Sequence, residues 1–208
     1  MTISIYGGIP GSRAFRNIWM LEELGLPYTN VPIDFRSEEI RSTHYLALNP
    51  DGRVPTLVDG EVEMWESIAI NLYLARTYDR GTMPRSAAGE AGALTWSFWA
   101  VSELDAPHDV ALRERSTISQ EQLSRGFDIL NRALVGRSFL AEDRFTVTDL
   151  NGSSITLRPS YPTVSLDRFP ELVRWREACF ARPAFRRTVE VLSAAQQAVA
   201  ADVLTPVR

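Results

Sequence analysis

Apolar and polar residues in the first part of the chain follow alternating strand and helix periods. Residues 2–7 alternate β-forming side chains and end at a glycine pair, so they are predicted to form a strand. Residues 13–24 repeat apolar side chains at helical spacing, and Gly25 is predicted to end that helix as its C-cap. A second strand is predicted over 27–34, at a sheet edge because its internal proline cannot donate a ladder hydrogen bond. A short polar helix is predicted over 37–46.

Residues 49–67 are predicted to form a turn, a β-hairpin and the start of a helix. Turn-forming residues fill 49–52, and residues 54–58 are mostly β-branched or apolar. Asp59-Gly60 is a strong two-residue hairpin signal, and the return strand over 62–65 leads directly into a helical pattern.

Two features of this stretch suit a small acidic peptide. Pro55 at the head of a strand is explained by a cis Val54–Pro55 bond, which would leave the backbone N–H and C=O of Val54 free to pair with a peptide-like ligand. The helix predicted over 66–78 begins at Glu66-Ser67, where unpaired N–H groups and the positive end of the helix dipole favour a carboxylate. A strand edge and an anion site are therefore predicted side by side.

The rest of the chain is predicted to be helical. Residues 80–88 are rich in glycine, proline and small side chains and form a predicted linker between an α/β domain over 1–79 and an all-helical domain over 89–208. The first helix of that domain is predicted over 89–115, with a kink near Pro107. Its aromatic residues, and the apolar residues of the next helix, are predicted to be core: Trp96, Phe98, Trp99, Leu123, Phe127, Leu130 and Leu134. Thr146 and Asp149 form a predicted capping box, and further helices are predicted over 171–181 and 184–199.

Composition narrows the function classes. The chain has 208 residues, 45% of them hydrophobic and 23% charged, with a net charge of −4, so a nucleic-acid or anionic-membrane partner is not expected. No apolar run reaches transmembrane length. The single cysteine, Cys179, excludes an intrachain disulfide framework and indicates a reducing compartment such as the cytoplasm.

The chain lacks residue types that several catalytic mechanisms and metal sites require. All 22 basic residues are arginine, so the chain has no P-loop lysine, Schiff-base lysine or lysine general base. The two histidines, His44 and His108, lie far in sequence from each other and from Cys179, so no metal site is expected, and His108 is expected at the surface. Cys179 itself lies among apolar helix residues, which is typical of a small buried hydrophobe.

Several motifs resemble those of the cytosolic glutathione transferases, particularly phi- and theta-like and related bacterial members. NPDGRVPTLVDGEVEMWESIAI resembles their glutathione-binding core, and PGSRAFRNIWMLEELGLPY their first loop and helix. FLAEDRFTVTDL resembles their buried capping box, and FPELVRWREACFARPAFRR their penultimate helix and its exit. The resemblance implies the glutathione transferase fold, a thioredoxin-like α/β N-terminal domain plus an all-α C-terminal domain. It also implies a cytoplasmic homodimer that joins the glutathione thiolate to a small hydrophobic electrophile.

The resemblance also implies binding roles for six residues: Arg41, Arg53, Val54, Pro55, Glu66 and Ser67. Glu66 and Ser67 would hold the γ-glutamyl group, with Ser67 on its carboxylate. Val54 would pair antiparallel with the cysteinyl backbone. Arg53 lies where the family has glutamine or lysine near the glycyl end, and Arg41 where phi-like members have a lysine that reaches the glycine carboxylate.

The catalytic requirement is a thiolate near neutral pH. A free thiol has a pKa of about 8.5, and lowering it by two units takes roughly 2.7 kcal/mol of preferential thiolate stabilisation. One hydrogen bond to a charged group contributes about 1.5–3 kcal/mol, so a single hydroxyl nearly suffices. Ser12, at the end of the first loop, matches the family's serine, and Arg13 or Arg16 would add positive charge. Tyr6, at the end of the first strand, is the alternative, since other classes place a tyrosine there.

Other interpretations stay open at this point. A thiol transferase or dehydroascorbate-reductase type needs a cysteine in the first loop, and positions 9–14 hold none. A non-catalytic binding module on the same fold, or a glutathione-dependent isomerase or dehalogenase, remains an alternative. Ser12 and the Glu66-Ser67 pair would also serve as plain helix caps. Glu103 and Asp105 are either solvated or, as in relatives, near the dimer interface, where one would reach the partner's glutathione amine.

Overall fold

A four-stranded mixed sheet forms the centre of the first part of the chain. Its strands are β1 (Ile3–Tyr6), β2 (Tyr28–Val31), β3 (Thr56–Asp59) and β4 (Val62–Trp65), in the order β2-β1-β3-β4. β1 and β2 are parallel, whereas β3 pairs antiparallel with both of its neighbours. The predicted hairpin and the edge position of β2 are confirmed, because β2 has a partner on one side only.

This computed structural model describes residues 2–107, 117–157 and 164–204. His108 and the end of the helix predicted over 89–115 lie outside those ranges. The chain divides into two units: one comprises the described residues of Met1–Asp79 and Pro183–Arg208, and the other Arg80–Arg182.

Helix α1 (Phe15–Leu24) packs against helix α3 (Ser67–Thr77) in the first unit. Gly25 adopts a left-handed conformation with φ 57° and ends α1, as predicted. The helix predicted over 37–46 is instead divided into a 3-10 turn, Glu38–Arg41, and α2 (Thr43–Leu48). The division falls at Ser42, whose backbone is extended and whose hydroxyl caps α2 by accepting from the Tyr45 N–H at 3.2 Å.

The second unit is helical in its described residues. It contains α4 (Ala87–Ala100), α5 (Thr117–Ala133), α6 (Val147–Ile155) and α7 (Pro170–Phe180). The predicted core residues of α5 and of the turn after it are buried, and so is Cys179. The Thr146–Asp149 capping box is present.

The aromatic residues of α4 are not core residues, contrary to the prediction. Phe98 is 66% exposed, and Trp96 and Trp99 are half-buried and pack edge-to-face on each other. The buried face of α4 consists of small residues instead, and Ser97 accepts a hydrogen bond from the α6 residue Asn151 at 3.0 Å. Small side chains on this face allow α4 and α6 to approach closely, which turns the large aromatic side chains away.

The helix that begins as α4 continues as a π-helical turn over Val101–Asp105. This irregularity precedes Pro107 by one turn. Proline has no N–H to donate, and its ring clashes with the carbonyl group four residues earlier, here that of Glu103. The wider π turn lies close to the position at which the sequence predicts a kink. Within it Glu103 is exposed, whereas Asp105 is buried.

The last helix, α8 (Pro183–Leu204), packs against α1 and groups with the first unit. The sequence predicts residues 183–208 as part of the helical domain instead. Phe185 makes edge-to-face contacts with Phe15 and Trp19, and Arg187 donates to the Glu22 carboxylate at 2.7 Å. These contacts are long-range in sequence and leave no periodic signal, so the helix was predicted but its partner was not.

Candidate functional site

The predicted site residues all lie in the first unit. Five of them lie near the end of β1 or at the start of α3: Ser12, Val54, Pro55, Glu66 and Ser67. The register of the sheet explains why. Thr56 follows Pro55 and pairs with Tyr6 at the end of β1 and with Trp65 at the end of β4. Because Trp65 directly precedes Glu66, the Val54–Pro55 segment and the start of α3 lie at the same end of the strands β1, β3 and β4. The Val54–Pro55 bond is cis, as predicted.

Gly7 lets the loop after β1 lie directly against Val54. A Cβ atom on Gly7 would fall 2.3 Å from Val54 Cβ, well inside van der Waals contact. The backbone of Gly7 also has φ 86°, a left-handed value that side chains with a Cβ rarely adopt. The loop that carries Ser12 therefore contacts the Val54–Pro55 segment, which is predicted to bind a peptide and lies just before β3 rather than within it.

Ser12 is buried, and its hydroxyl donates to the Gly7 carbonyl at 2.6 Å. It is not the N-cap of α1, since Ala14 holds that position and no side chain caps the helix. The interpretation of Ser12 as a plain helix cap is thus wrong. To donate to a ligand sulfur, the hydroxyl has to rotate away from Gly7.

The segment before Val54 is fixed through the Arg53 carbonyl. That oxygen accepts from Tyr45 Oη and from Asn49 Nδ2, both at 2.7 Å. Burial raises the pKa of the Tyr45 phenol, so its hydroxyl stays protonated and remains a donor across the neutral range. The backbone entering the predicted peptide-pairing position is therefore held in one orientation without the side chain of Arg53.

Arg41 and Arg53 lie at the surface, near one another. Arg53 pairs with Asp51 at 3.2 Å in an exposed ion pair. A Cβ atom on Gly52 would lie 3.9 Å from Arg41 Cδ, so the turn that precedes Arg53 lies against the end of the 3-10 turn. Two cations therefore flank this turn.

Glu66 is exposed and has an unusual backbone conformation. Its φ is 70°, the one left-handed value among the non-glycine residues that the structure describes. Such a conformation costs on the order of 1–3 kcal/mol and is common at ligand sites. Glu66 occupies the N-cap position of α3, but its side chain makes no capping hydrogen bond. A helix-capping role therefore does not explain why a glutamate is present at this position.

Ser67 belongs to a buried polar cluster between α1 and α3 that sequence reasoning largely missed. Arg16 Nη1 donates to Ser67 Oγ at 3.4 Å. Asn17 Nδ2 donates to the Ser67 carbonyl at 2.7 Å and to Asn71 Oδ1 at 2.8 Å. The sequence assigned Arg16 only a general positive charge near the sulfur and assigned Asn17 and Asn71 nothing. Polar side chains at helix positions predicted to be buried are the feature of the sequence that indicates such a cluster.

Tyr6, the alternative hydroxyl, packs with Val54 against a small core cluster of Ile33, Ile40 and Tyr45. Its ring is tilted against that of Tyr45, with centroids 6.2 Å apart. No group of three or more histidine, cysteine or acidic side chains comes together as a metal site in the described ranges. No helix in the described part of the chain is long and apolar enough to cross a membrane.

Comparison with known proteins gives one consistent family. Residues 1–76 match the model of the glutathione S-transferase N-terminal domain, and residues 107–183 match that of the C-terminal domain. Glutathione S-transferase 3 of Zea mays is 31% identical over 91% of this chain and 94% of that protein.

Two solved structures show the same fold. The theta class glutathione S-transferase of Xanthomonas axonopodis pv. citri, solved with glutathione bound, has a TM-score of 0.81 at 27% identity and covers 90% of this chain and 97% of that one. The glutathione transferase URE2P6 of Phanerochaete chrysosporium, in complex with oxidized glutathione, has a TM-score of 0.83 at 23% identity and covers 93% and 97%. With both domain models matched in order and the fold confirmed, the chain belongs to the glutathione S-transferase family of enzymes.

Proposed function

We propose that the enzyme binds glutathione in its first unit and joins the glutathione sulfur to an electrophilic carbon of a small hydrophobic substrate. One observation carries the proposal: the loop bearing Ser12 lies against Val54, beside the start of α3 at Glu66-Ser67. In this pose Val54 pairs with the cysteinyl backbone, and Glu66 and Ser67 hold the γ-glutamyl group. Arg53 and Arg41 receive the glycyl carboxylate.

The reaction begins with loss of the thiol proton to solvent. The Ser12 hydroxyl then turns from the Gly7 carbonyl and donates to the thiolate, which lowers the thiol pKa. The sulfur lone pair attacks the electrophilic carbon as the leaving group departs with its bonding electrons, or as an adjacent double bond takes up the pair. No protein side chain has to carry a covalent intermediate, so catalysis consists of thiolate stabilisation and positioning.

Replacing Ser12 with alanine is expected to raise the pKa of the bound glutathione thiol by about 1–2 units, because a hydrogen bond to a charged group contributes about 1.5–3 kcal/mol. Because the thiol pKa then rises from about 6.5 to about 7.5–8.5, the thiolate fraction at pH 7 falls and the catalytic efficiency is expected to fall by about 3–25-fold, with the glutathione dissociation constant little changed. Titration of thiolate absorbance and calorimetry measure the two effects. Ser12→Thr, which keeps a hydroxyl, is the matched control.

A non-catalytic binding module is the second candidate, favoured by the donation of the Ser12 proton to Gly7 in this structure. Tight glutathione binding by the wild type with an ordinary thiol pKa would support that module. A low thiol pKa that Ser12→Ala leaves unchanged would remove Ser12 as the donor and promote Tyr6 or the arginines; Tyr6→Phe then separates these two.

Replacing Glu66 with either alanine or glycine is expected to abolish retention on immobilised glutathione, because both changes remove the carboxylate. Stability separates the two variants. Alanine keeps a Cβ at φ 70°, whereas glycine adopts this conformation without the steric cost of about 1 kcal/mol, so the glycine variant is expected to unfold at higher urea concentration. Normal retention of both variants would contradict the binding role of Glu66.

A homodimer and a cytoplasmic location complete the proposal. Each unit has large apolar side chains at its surface, Val62 and Trp65 in the first and Leu94 and Phe98 in the second. Where exposed apolar residues form a contiguous patch, they mark a protein interface. The lone cysteine suits a reducing compartment.

A further inference from the structure

Arg16 is an arginine in an almost fully buried position. It lies in the first turn of α1 with 3% of its surface exposed, and its guanidinium reaches the hydroxyl of Ser67, which is itself 4% exposed. Arginine is rarely buried to this extent unless it is paired, since taking a cation out of water is costly. The hydroxyl of Ser67 is one of the groups that the buried guanidinium of Arg16 contacts.

The direction of the Arg16–Ser67 hydrogen bond fixes what Ser67 can do. A serine hydroxyl has one proton to donate and two lone pairs that accept. A guanidinium only donates, and it keeps its charge throughout the working range of a protein. Because Arg16 donates to Ser67 Oγ, the Ser67 proton is directed to another acceptor at every pH at which the enzyme works.

The first turn of α3 is held in place by a second side chain. Asn17 donates to the Ser67 carbonyl and to Asn71 Oδ1, which fixes the backbone of Ser67 and leaves its hydroxyl to Arg16. Arg16 and Asn17, which are adjacent on α1, therefore contact different parts of Ser67. Asn17 holds the backbone of Ser67, and Arg16 sets the polarity of its side chain.

We propose that Arg16 is a positioning residue that makes Ser67 a dedicated hydrogen-bond donor to the γ-glutamyl carboxylate, and so gives the site its preference for an anion at that end of the ligand. This inference rests on the proposed binding of glutathione. It assigns Arg16 to the carboxylate end of the ligand, because the guanidinium contacts Ser67.

The test compares two ligands by calorimetry: glutathione, and the analogue in which a 4-aminobutyryl group replaces the γ-glutamyl group and so lacks only its α-carboxylate. Arg16→Gln is expected to weaken glutathione binding by about 10–100-fold, the range for one hydrogen bond to a charged group. Binding of the analogue is expected to change less than about twofold on the same scale. The thiol pKa of bound glutathione is expected to stay at its wild-type value.

Two further variants separate positioning from general support of the helix. Arg187→Gln removes an exposed anchor of α1 that does not touch Ser67, so it is expected to lower the melting temperature without changing the ratio of the two affinities. In a Ser67→Ala background, Arg16→Gln is expected to have little further effect on that ratio, because the guanidinium acts through the hydroxyl.

Each outcome decides the proposal. Equal weakening of both ligands by Arg16→Gln, or no weakening of either, would overturn it. If Arg16→Gln does not fold, Arg16→Lys keeps the charge in a smaller donor and is expected to lose part of the preference for glutathione; an unchanged ratio there would also overturn it. Wild-type protein that binds neither ligand would refute the proposed function, which is a separate result.

Discussion

Replacing Gly7 with alanine is expected to weaken glutathione binding by at least tenfold and to lower the free energy of unfolding by about 2–5 kcal/mol. The new Cβ would fall 2.3 Å from Val54 Cβ and 2.4 Å from Val54 Cγ1, so the loop and the strand segment must separate. An overpacked site of this kind costs typically 1–3 kcal/mol, and a Cβ at φ 86° adds about 1–2 kcal/mol. Calorimetry gives the affinity, and urea unfolding gives the stability.

Gly81 provides a matched control for the Gly7 variant. It has the same φ of 86°, but a Cβ placed there would meet nothing within 4 Å. Gly81→Ala is therefore expected to show only the backbone cost of about 1–2 kcal/mol and unchanged glutathione binding. Wild-type affinity in Gly7→Ala would contradict the assignment of Val54 as the peptide-pairing strand.

Replacing Asp149 with asparagine is expected to lower the free energy of unfolding by about 2–4 kcal/mol at pH 7, since an unsatisfied buried donor or acceptor costs about 1–3 kcal/mol. Oδ1 accepts from the Leu140 N–H and from Trp175 Nε1, both at 2.9 Å, and Oδ2 accepts from the N–H and hydroxyl of Thr146 at 3.0 and 3.2 Å. Asparagine replaces one oxygen with an NH₂ donor, so either the N–H group of Thr146 or the two N–H groups on Oδ1 lose their acceptor. Urea unfolding measures the effect.

The exposed Asp128, which pairs with Arg132 one turn away, supplies the control. Asp128→Asn is expected to change stability by less than about 0.5 kcal/mol, as is usual for a surface ion pair. An Asp149→Asn variant as stable as this control would contradict the role of the capping box as the polar centre of its unit.

The dependence on pH gives a second readout for Asp149. Burial outweighs the four donors and raises the pKa of this carboxyl to about 6, above its usual 3.8. Between these two values the folded protein binds more protons than the unfolded chain, so the stabilising contribution of Asp149 is full below pH 3.8 and declines as the pH rises through 6. The stability difference between wild type and Asp149→Asn is therefore expected to shrink over this range.

Elements governed by local chemistry could be predicted from the sequence. Asp59-Gly60 predicts the hairpin because glycine tolerates the left-handed turn position, and Gly60 has φ 63°. Gly25 predicts the end of α1 for the same reason. The capping box is also local, since its two partners are three residues apart.

Features governed by packing between distant segments could not be predicted. Serine is a residue type that commonly caps helices, but the hydroxyl of Ser12 donates a hydrogen bond to the Gly7 carbonyl instead. The loop brings that carbonyl close to Ser12. Phenylalanine is usually a core residue, but Phe98 is exposed because α4 buries the face that carries its small side chains. At the candidate site, the sequence predicted positive charge at Arg16 but not its direction toward Ser67, which depends on the packing of α1 against α3.

The contact of α8 with α1 also bears on how the polypeptide is made. Phe185 and Arg187 cover Phe15, Trp19 and Glu22, yet the ribosome adds them only after the whole of the second unit. The second unit is thus an insertion, in topological terms, within the first. A nascent chain that ends at Arg182 contains every residue assigned to glutathione but lacks the aromatic contact with Trp19, so the α1 surface is covered only after the second unit has been synthesised.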